Sequence, residues 1–248
     1  MSRFATLADD ALAGPWPWRG KEAEVRYALY RSLEEEQEAL VRARARWEPS
    51  EAERILTLAR RAFGDLRGLL VGLPDNTLDT ARDAEWSLRD VLRHALLVEK
   101  RYAVNTLFAA HRGDDEPLHL AAGDPRSPSE RDVDVSGGVE TVMERFAAAR
   151  DQTDALLGAL PEPALTRPTA WSGHEVDVRF RLHRFASHLV EHTIQCEKAL
   201  AAGSIRVGEA RAIVRRIWAL RGELEATSDD DAMAALDAAH EGRAGSLG

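Results

Sequence analysis

The chain has 248 residues, 44% hydrophobic and 30% charged, with a formal net charge of −9. This is the composition of a folded globular protein with room for a sizeable core. Lysine and arginine are scattered among the acids rather than gathered into a block, which argues against a nucleic-acid partner. The single cysteine, Cys196, excludes an internal disulfide and a cysteine-rich zinc site.

The first residues, MSRFATLADDALAG, place Asp9 and Asp10 where a signal peptide needs an unbroken apolar run, and no window of about 18 apolar residues occurs. A cytoplasmic protein without a membrane partner is expected. The stretch GPWPWRG, with two prolines and two glycines, precludes a continuous helix and predicts an extended arm whose Trp16 and Trp18 pack on the rest. From Lys21 to about Trp47, Val25, Leu29, Leu33 and Leu40 recur at helical spacing among charges, predicting a long half-exposed helix.

Pro49-Ser50-Glu51 starts a second helix, carrying Ile55, Leu58, Ala62, Leu66 and Leu70, that stops before Leu73-Pro74. Glu85-Trp86-Ser87 opens a third, with Ser87 placed as N-cap and Asp90 where a carboxylate favours a helix N-terminus; it runs to about His111. The turn-rich stretch 113–138 reads as a surface crossover. Val139, Val142, Phe146, Ala149, Thr153, Leu156 and Leu160 mark a fourth helix, closed by Pro161. A fifth covers about Glu175 to Ala202, although VDVRFRL at its start alternates like a strand. Helices from Gly208 to Ala226 and Asp229 to Ala239 precede a loose GRAGSLG tail.

Nothing else reads as a strand, and no repeat is apparent. The fold class is all-α: a four-helix bundle over 50–202, an arm and extra helix over 1–49 packed on it, and a helical extension with a flexible tail over 203–248. The N-terminal arm and helix are compatible with a homodimer interface, and packing within one chain explains them as well.

The stretch HLVEH, residues 188–192, carries the chemistry. Successive helical residues turn by about 100°. With Phe185 at 0°, Leu189, Cys196 and Leu200 define a buried face, His192 falls at about 340° and His188 at about 300°, whereas His183 points to solvent. An i, i+4 pair of inward imidazoles is either a hydrogen-bonded polar filling of the core or two ligands aimed at one metal ion. Across the bundle, His94 lies on the flank of the stripe Val91, Ala95, Val98, Tyr102 and is the best remaining third ligand. His111, His119, His174 and His240, at helix ends or in loops, are expected to be solvated.

The same five residues match H-x-x-E-H, in which a glutamate acts as general base of a zinc hydrolase. Such enzymes need a larger α/β scaffold that this sequence does not predict. Glu191, at the edge of the face, is better suited to an exposed position or to supporting a ligating histidine. Arg181 is a candidate anchor for a substrate carboxylate, Arg184 a weaker one, and Gln195 a candidate donor to substrate or an ordinary surface amide. Cys196, on the most buried part of the stripe, reads as a small core residue rather than a nucleophile.

The segments EWSLRDVLRHALLVEKRY, residues 85–102, and RLHRFASHLVEHTIQCEKAL, residues 181–200, resemble the DinB-like superfamily of metal-binding four-helix bundles. This family includes thiol S-transferases and mycothiol-dependent maleylpyruvate isomerases. The resemblance implies a divalent metal, zinc or nickel, held by His94, His188 and His192. It further implies metal-assisted transfer or isomerisation of a small molecule with a low-molecular-weight thiol such as mycothiol or bacillithiol. The competing expectation is a non-enzymatic, metal-stabilised interaction module.

Overall fold

Each long helix begins where the local chemistry favours it. In the computed structural model, which describes residues 1–81, 85–227 and 229–247, helix α3 (Glu51–Leu70) follows Ser50, whose hydroxyl accepts from Glu53 N at 3.1 Å while Glu53 returns a carboxylate to Ser50 N at 2.6 Å. Helix α4 (Leu88–His111) repeats this reciprocal cap with Ser87 and Asp90. Two backbone donors that the first turn would leave without partners are thus satisfied at each start.

The remaining elements are a first turn, α1 (Ser2–Ala5); strands β1 (Pro15–Trp18) and β2 (Lys21–Glu24); helix α2 (Val25–Arg44); α5 (Val139–Leu157); the short α6 (Glu162–Leu165); strands β3 (Pro168–Trp171) and β4 (His174–Asp177); and helices α7 (Val178–Ala202), α8 (Glu209–Glu225) and α9 (Asp230–Gly245). In the bundle of α3, α4, α5 and α7, α7 and α5 each touch both α3 and α4. Phe63, Phe146, Leu92 and Phe185 fill its core. Glu99 on α4 and Arg150 on α5, 2.7 Å apart and essentially without solvent exposure, lock those helices in register, and Thr153 donates to the same carboxylate at 2.7 Å. The fold is all-α as expected, with two small hairpins added.

Those hairpins correct the expectation that nothing besides VDVRFRL reads as a strand, and the first two residues of that stretch do lie in β4. β1 pairs with β2 and β3 with β4, each antiparallel across a two-residue turn. The turn residues Arg19 and Gly20, and Ser172 and Gly173, all have positive φ, the geometry of a two-residue turn that matches strand twist. Because Lys21–Glu24 pairs with β1, α2 starts at Val25 rather than Lys21. Likewise α7 starts at Val178, where Asp177 accepts from Phe180 N at 2.7 Å. At the other end of the chain α9 runs to Gly245, so most of the expected loose tail is helical; Gly248 lies outside the described residues.

The hairpins also reveal a repeat, contrary to the sequence expectation. PWPWRGKEAEVRYAL (15–29) and PTAWSGHEVDVRFRL (168–182) are identical at seven of fifteen positions and fold alike, hairpin into helix. Trp18 meets Tyr27 edge-on at 5.9 Å as Trp171 meets Phe180 at 5.6 Å. Val25 N donates to Gly14 O as Val178 N donates to Arg167 O. The correspondence continues into the next helices: Arg26 pairs with Glu209 on α8, and its counterpart Arg179 pairs with Glu51 on α3. A Cβ on Gly64 would lie 2.1 Å from Trp218 O, and one on Gly222 would lie 2.2 Å from Arg60 O, the reciprocal contact in the same register.

The chain is therefore a duplicated unit folded on itself around the α3–α8 contact. Helix α2 lies on α8 as α7 lies on α3, and α9 lies on α2 as α4 lies on α7. The division expected near residues 49 and 202 runs between helices that pack together, since α2, α8 and α9 form the second unit. Trp16 and Phe4 are buried in its core with Val214.

Candidate metal centre

Duplication has left the two halves with different chemistry at corresponding places. In the first, α4 presents His94 and α7 presents His188 and His192, and one nitrogen from each ring lies within 4.8 Å of the other two. In the second, His188 is answered by Glu35, which pairs with Arg243, His192 by Ala39, and the matching depth on α9 is occupied by Leu236; Ala39 and Leu236 belong to one buried apolar cluster.

His188 and His192 are buried and His94 half-buried. The rings of His188 and His192 meet with their Nε2 atoms 2.8 Å apart, and the His94 ring centroid is 5.0 Å from that of His192. Gln195 sets the protonation of His192. Its amide oxygen sits 2.7 Å from Nδ1 and can only accept, so the ring proton is on Nδ1 and Nε2 turns a lone pair to the centre. Burial, followed by repulsion from the neighbouring imidazoles, pushes His188 down to about 3, and burial lowers His94 and His192 as well. All three are held neutral at neutral pH, which is the ligating form of histidine.

Around the imidazoles stands a rim the sequence reading only partly identified. Trp86, half exposed, lies 5.3 Å from the His94 ring. Tyr102, two turns after His94, lies 5.4 Å from the His188 ring, and its hydroxyl accepts from Trp171 Nε1 at 3.4 Å. The Arg184 guanidinium lies 4.8 Å over Trp171. Trp171 comes from the tip of the second hairpin, so only recognition of the repeat could have signalled its structured position.

Of the other residues singled out, Arg181 and His240 are placed differently from expectation, Glu191 takes the exposed one of its two expected positions, and Cys196 is buried as expected. Arg181 is buried, its Nε on Thr106 Oγ1 at 3.3 Å and an Nη on Ala170 O at 2.8 Å; it ties the hairpin to α4. Glu191 is exposed and reaches Arg184 at 3.3 Å, so Gln195 rather than Glu191 is the side chain set against an imidazole. Cys196 is fully buried, and burial pushes its thiol up to about 12. His240 is buried rather than solvated.

The model of the DinB superfamily matches residues 58–196, more than half of the chain. No curated protein matches. Among solved structures, the chain is similar to YfiT from Bacillus subtilis, described as "a probable metal-dependent hydrolase with an unusual four-helix bundle topology". The TM-score is 0.49 at 14% identity, over 64% of this chain and 95% of that one.

Proposed function

Because the chain belongs to the DinB superfamily, we propose that it binds one divalent metal ion through His94, His188 and His192 and uses it to activate a low-molecular-weight thiol for transfer to, or isomerisation of, a small electrophile. The observation that carries this reading is the convergence of three neutral imidazoles, one nitrogen of each within 4.8 Å of the others. Two buried rings facing each other through Nε2 leave little polar compensation apart from a cation, and three nitrogens are the donor set of a site that keeps a position free. When bound, zinc or nickel supplies the positive charge that favours a thiolate, or a hydroxide, in that position.

The chain's own residues do the rest. Gln195 holds the His192 tautomer, and Trp86 covers His94 on the solvent side. Arg184, whose partner Glu191 is exposed and exchangeable, offers a guanidinium for a substrate carboxylate; this assigns to Arg184 the anchoring expected of Arg181. The hydrolase reading of H-x-x-E-H asks Glu191 to serve as base, but its carboxylate is turned to Arg184 at the surface.

The test is metal content per chain by elemental mass spectrometry for wild type and for His94→Ala, His188→Ala and His192→Ala, each confirmed folded. About one ion in wild type, lost in all three variants, supports the site. A chain that stays metal-free after incubation with zinc and nickel defeats it. Thiol activation is then checked with cobalt-loaded protein. A change in its visible spectrum on adding a thiol, together with turnover of an electrophile, supports catalysis, whereas an unchanged spectrum favours the interaction module.

A further inference from the structure

The duplicated unit is incomplete. In the first bundle α5 closes the square formed with α3, α7 and α4, whereas among the described residues α8, α2 and α9 are joined on that side by the single turn α1 and by no long helix of their own. The place beside α8 and α9 that such a helix would fill is a cavity of about 500 Å³, walled on its other side by α5 and the end of α3. A cavity of this volume is in the range of small-molecule sites.

Its floor is charged and polar, and sealed from water. Glu36 is 0% exposed; its Oε1 takes both Arg221 bonds, at 2.6 and 3.0 Å, while its Oε2 has no partner. His240 is 2% exposed and neither ring nitrogen has a partner. Of the cations nearby, Arg221 also holds Asp237 at 2.7 Å, Arg67 holds Glu225 at 2.7 Å while lying over Trp218, and Arg243 is paired with Glu35, while the Met1 amino group lines the cavity and is drawn to Asp237 and Glu241. At the mouth, Glu140, Glu144 and Glu241 make no ion pair among the described residues, and the walls between mouth and floor include Val139, Met143 and Ile217.

We propose that this slot is a second ligand site, separate from the histidine centre, that takes a small organic cation: an amine carrying an apolar body. The ammonium group donates to Glu36 Oε2 and to a His240 ring nitrogen, the two acceptors left open, and the apolar body lies on Ile217, Met143 and Val139. Excess carboxylate at the mouth attracts cations and repels acids of the same shape.

The test is isothermal titration calorimetry of the full chain with 2-phenylethylamine, its carboxylate analogue 3-phenylpropionate and its neutral analogue 2-phenylethanol. The expected result is one saturable site for the amine with a Kd below about 1 mM, and affinities at least about tenfold weaker for the acid and the alcohol. Ala147→Phe, on α5 at the lining, fills the cavity without touching a buried charge and abolishes binding, as does Glu36→Gln if it folds. His188→Ala leaves binding intact. No heat with the amine, equal binding of the three probes, survival of binding in Ala147→Phe, or its loss in His188→Ala each overturns the proposal.

Discussion

His188 and His192 approach Nε2 to Nε2 at 2.8 Å, with the His192 proton already committed to Gln195 through Nδ1. Only a proton on His188 or a shared cation can sit between those atoms, and the cation serves both lone pairs. Adding zinc or nickel at about 100 times its dissociation constant should therefore stabilise the fold by about 2.7 kcal/mol. Differential scanning calorimetry should show the rise in wild type, its reversal by chelator and its absence in His188→Ala. An equal rise in that variant would place the metal elsewhere.

Gln195 lies on the exposed side of α7 yet fixes the orientation of a buried ring. Gln195→Ala should leave thermal stability nearly unchanged while weakening metal affinity by about 10- to 100-fold. Competition against a chromogenic chelator measures this directly, and an unaltered affinity would reduce Gln195 to an ordinary surface amide.

Glu99 and Arg150 are a buried pair, and removing Glu99 leaves the unexposed Arg150 with Asp154, 2.6 Å away, as its one remaining ion-pair partner. Glu99→Leu should cost about 3–5 kcal/mol of unfolding free energy, read as a lowered midpoint in urea with an unchanged slope. A cost below about 1 kcal/mol, the range of exposed pairs, would show that Asp154 alone suffices for Arg150.

Burial, reinforced by Arg221 of α8, Arg243 of its own helix and the Met1 amino group, and opposed by Glu35 of α2, holds His240 down to about 4. Glu36 of α2 and Asp237 of α9 also face this cluster. Unfolding restores the ordinary histidine value of 6.5, so between these values the unfolded chain binds the extra proton. The contribution is fully present above pH ~6.5 and is lost as pH falls toward ~4, by up to about 1.4 kcal/mol per pH unit. Urea titrations at pH 7 and pH 5 should show a larger loss in wild type than in His240→Leu; equal losses would refute the assignment.

Helix geometry made the convergence of His188 and His192 legible, because an i, i+4 pair on one apolar face has one direction to point. Ser87 and Asp90, three positions apart, similarly announced the start of α4. The hairpins were not legible by the same means, since a strand of four residues gives periodicity too little length and Pro15 and Pro17 read as loop. The repeat was hidden for a different reason. Its surest marks are reciprocal contacts, Arg26 with Glu209 and Arg179 with Glu51, between residues far apart in the chain, and α7 is five residues longer than α2 (25 against 20). His240 was misplaced because the length of α9 beyond Ala239 was unread.

The reciprocal seating of Gly64 and Gly222 against the opposite backbone makes the two halves behave like a pair of subunits joined by a tether. In a symmetric pair of separate chains, any substitution appears on both sides at once, so a site cannot be given up on one side alone. Joined in one polypeptide, the copies are free to differ: one has three imidazoles, while the other has glutamate, alanine and leucine at the corresponding positions. Specialisation of one half, with its twin kept as scaffold, is the freedom that fusion confers and symmetry forbids.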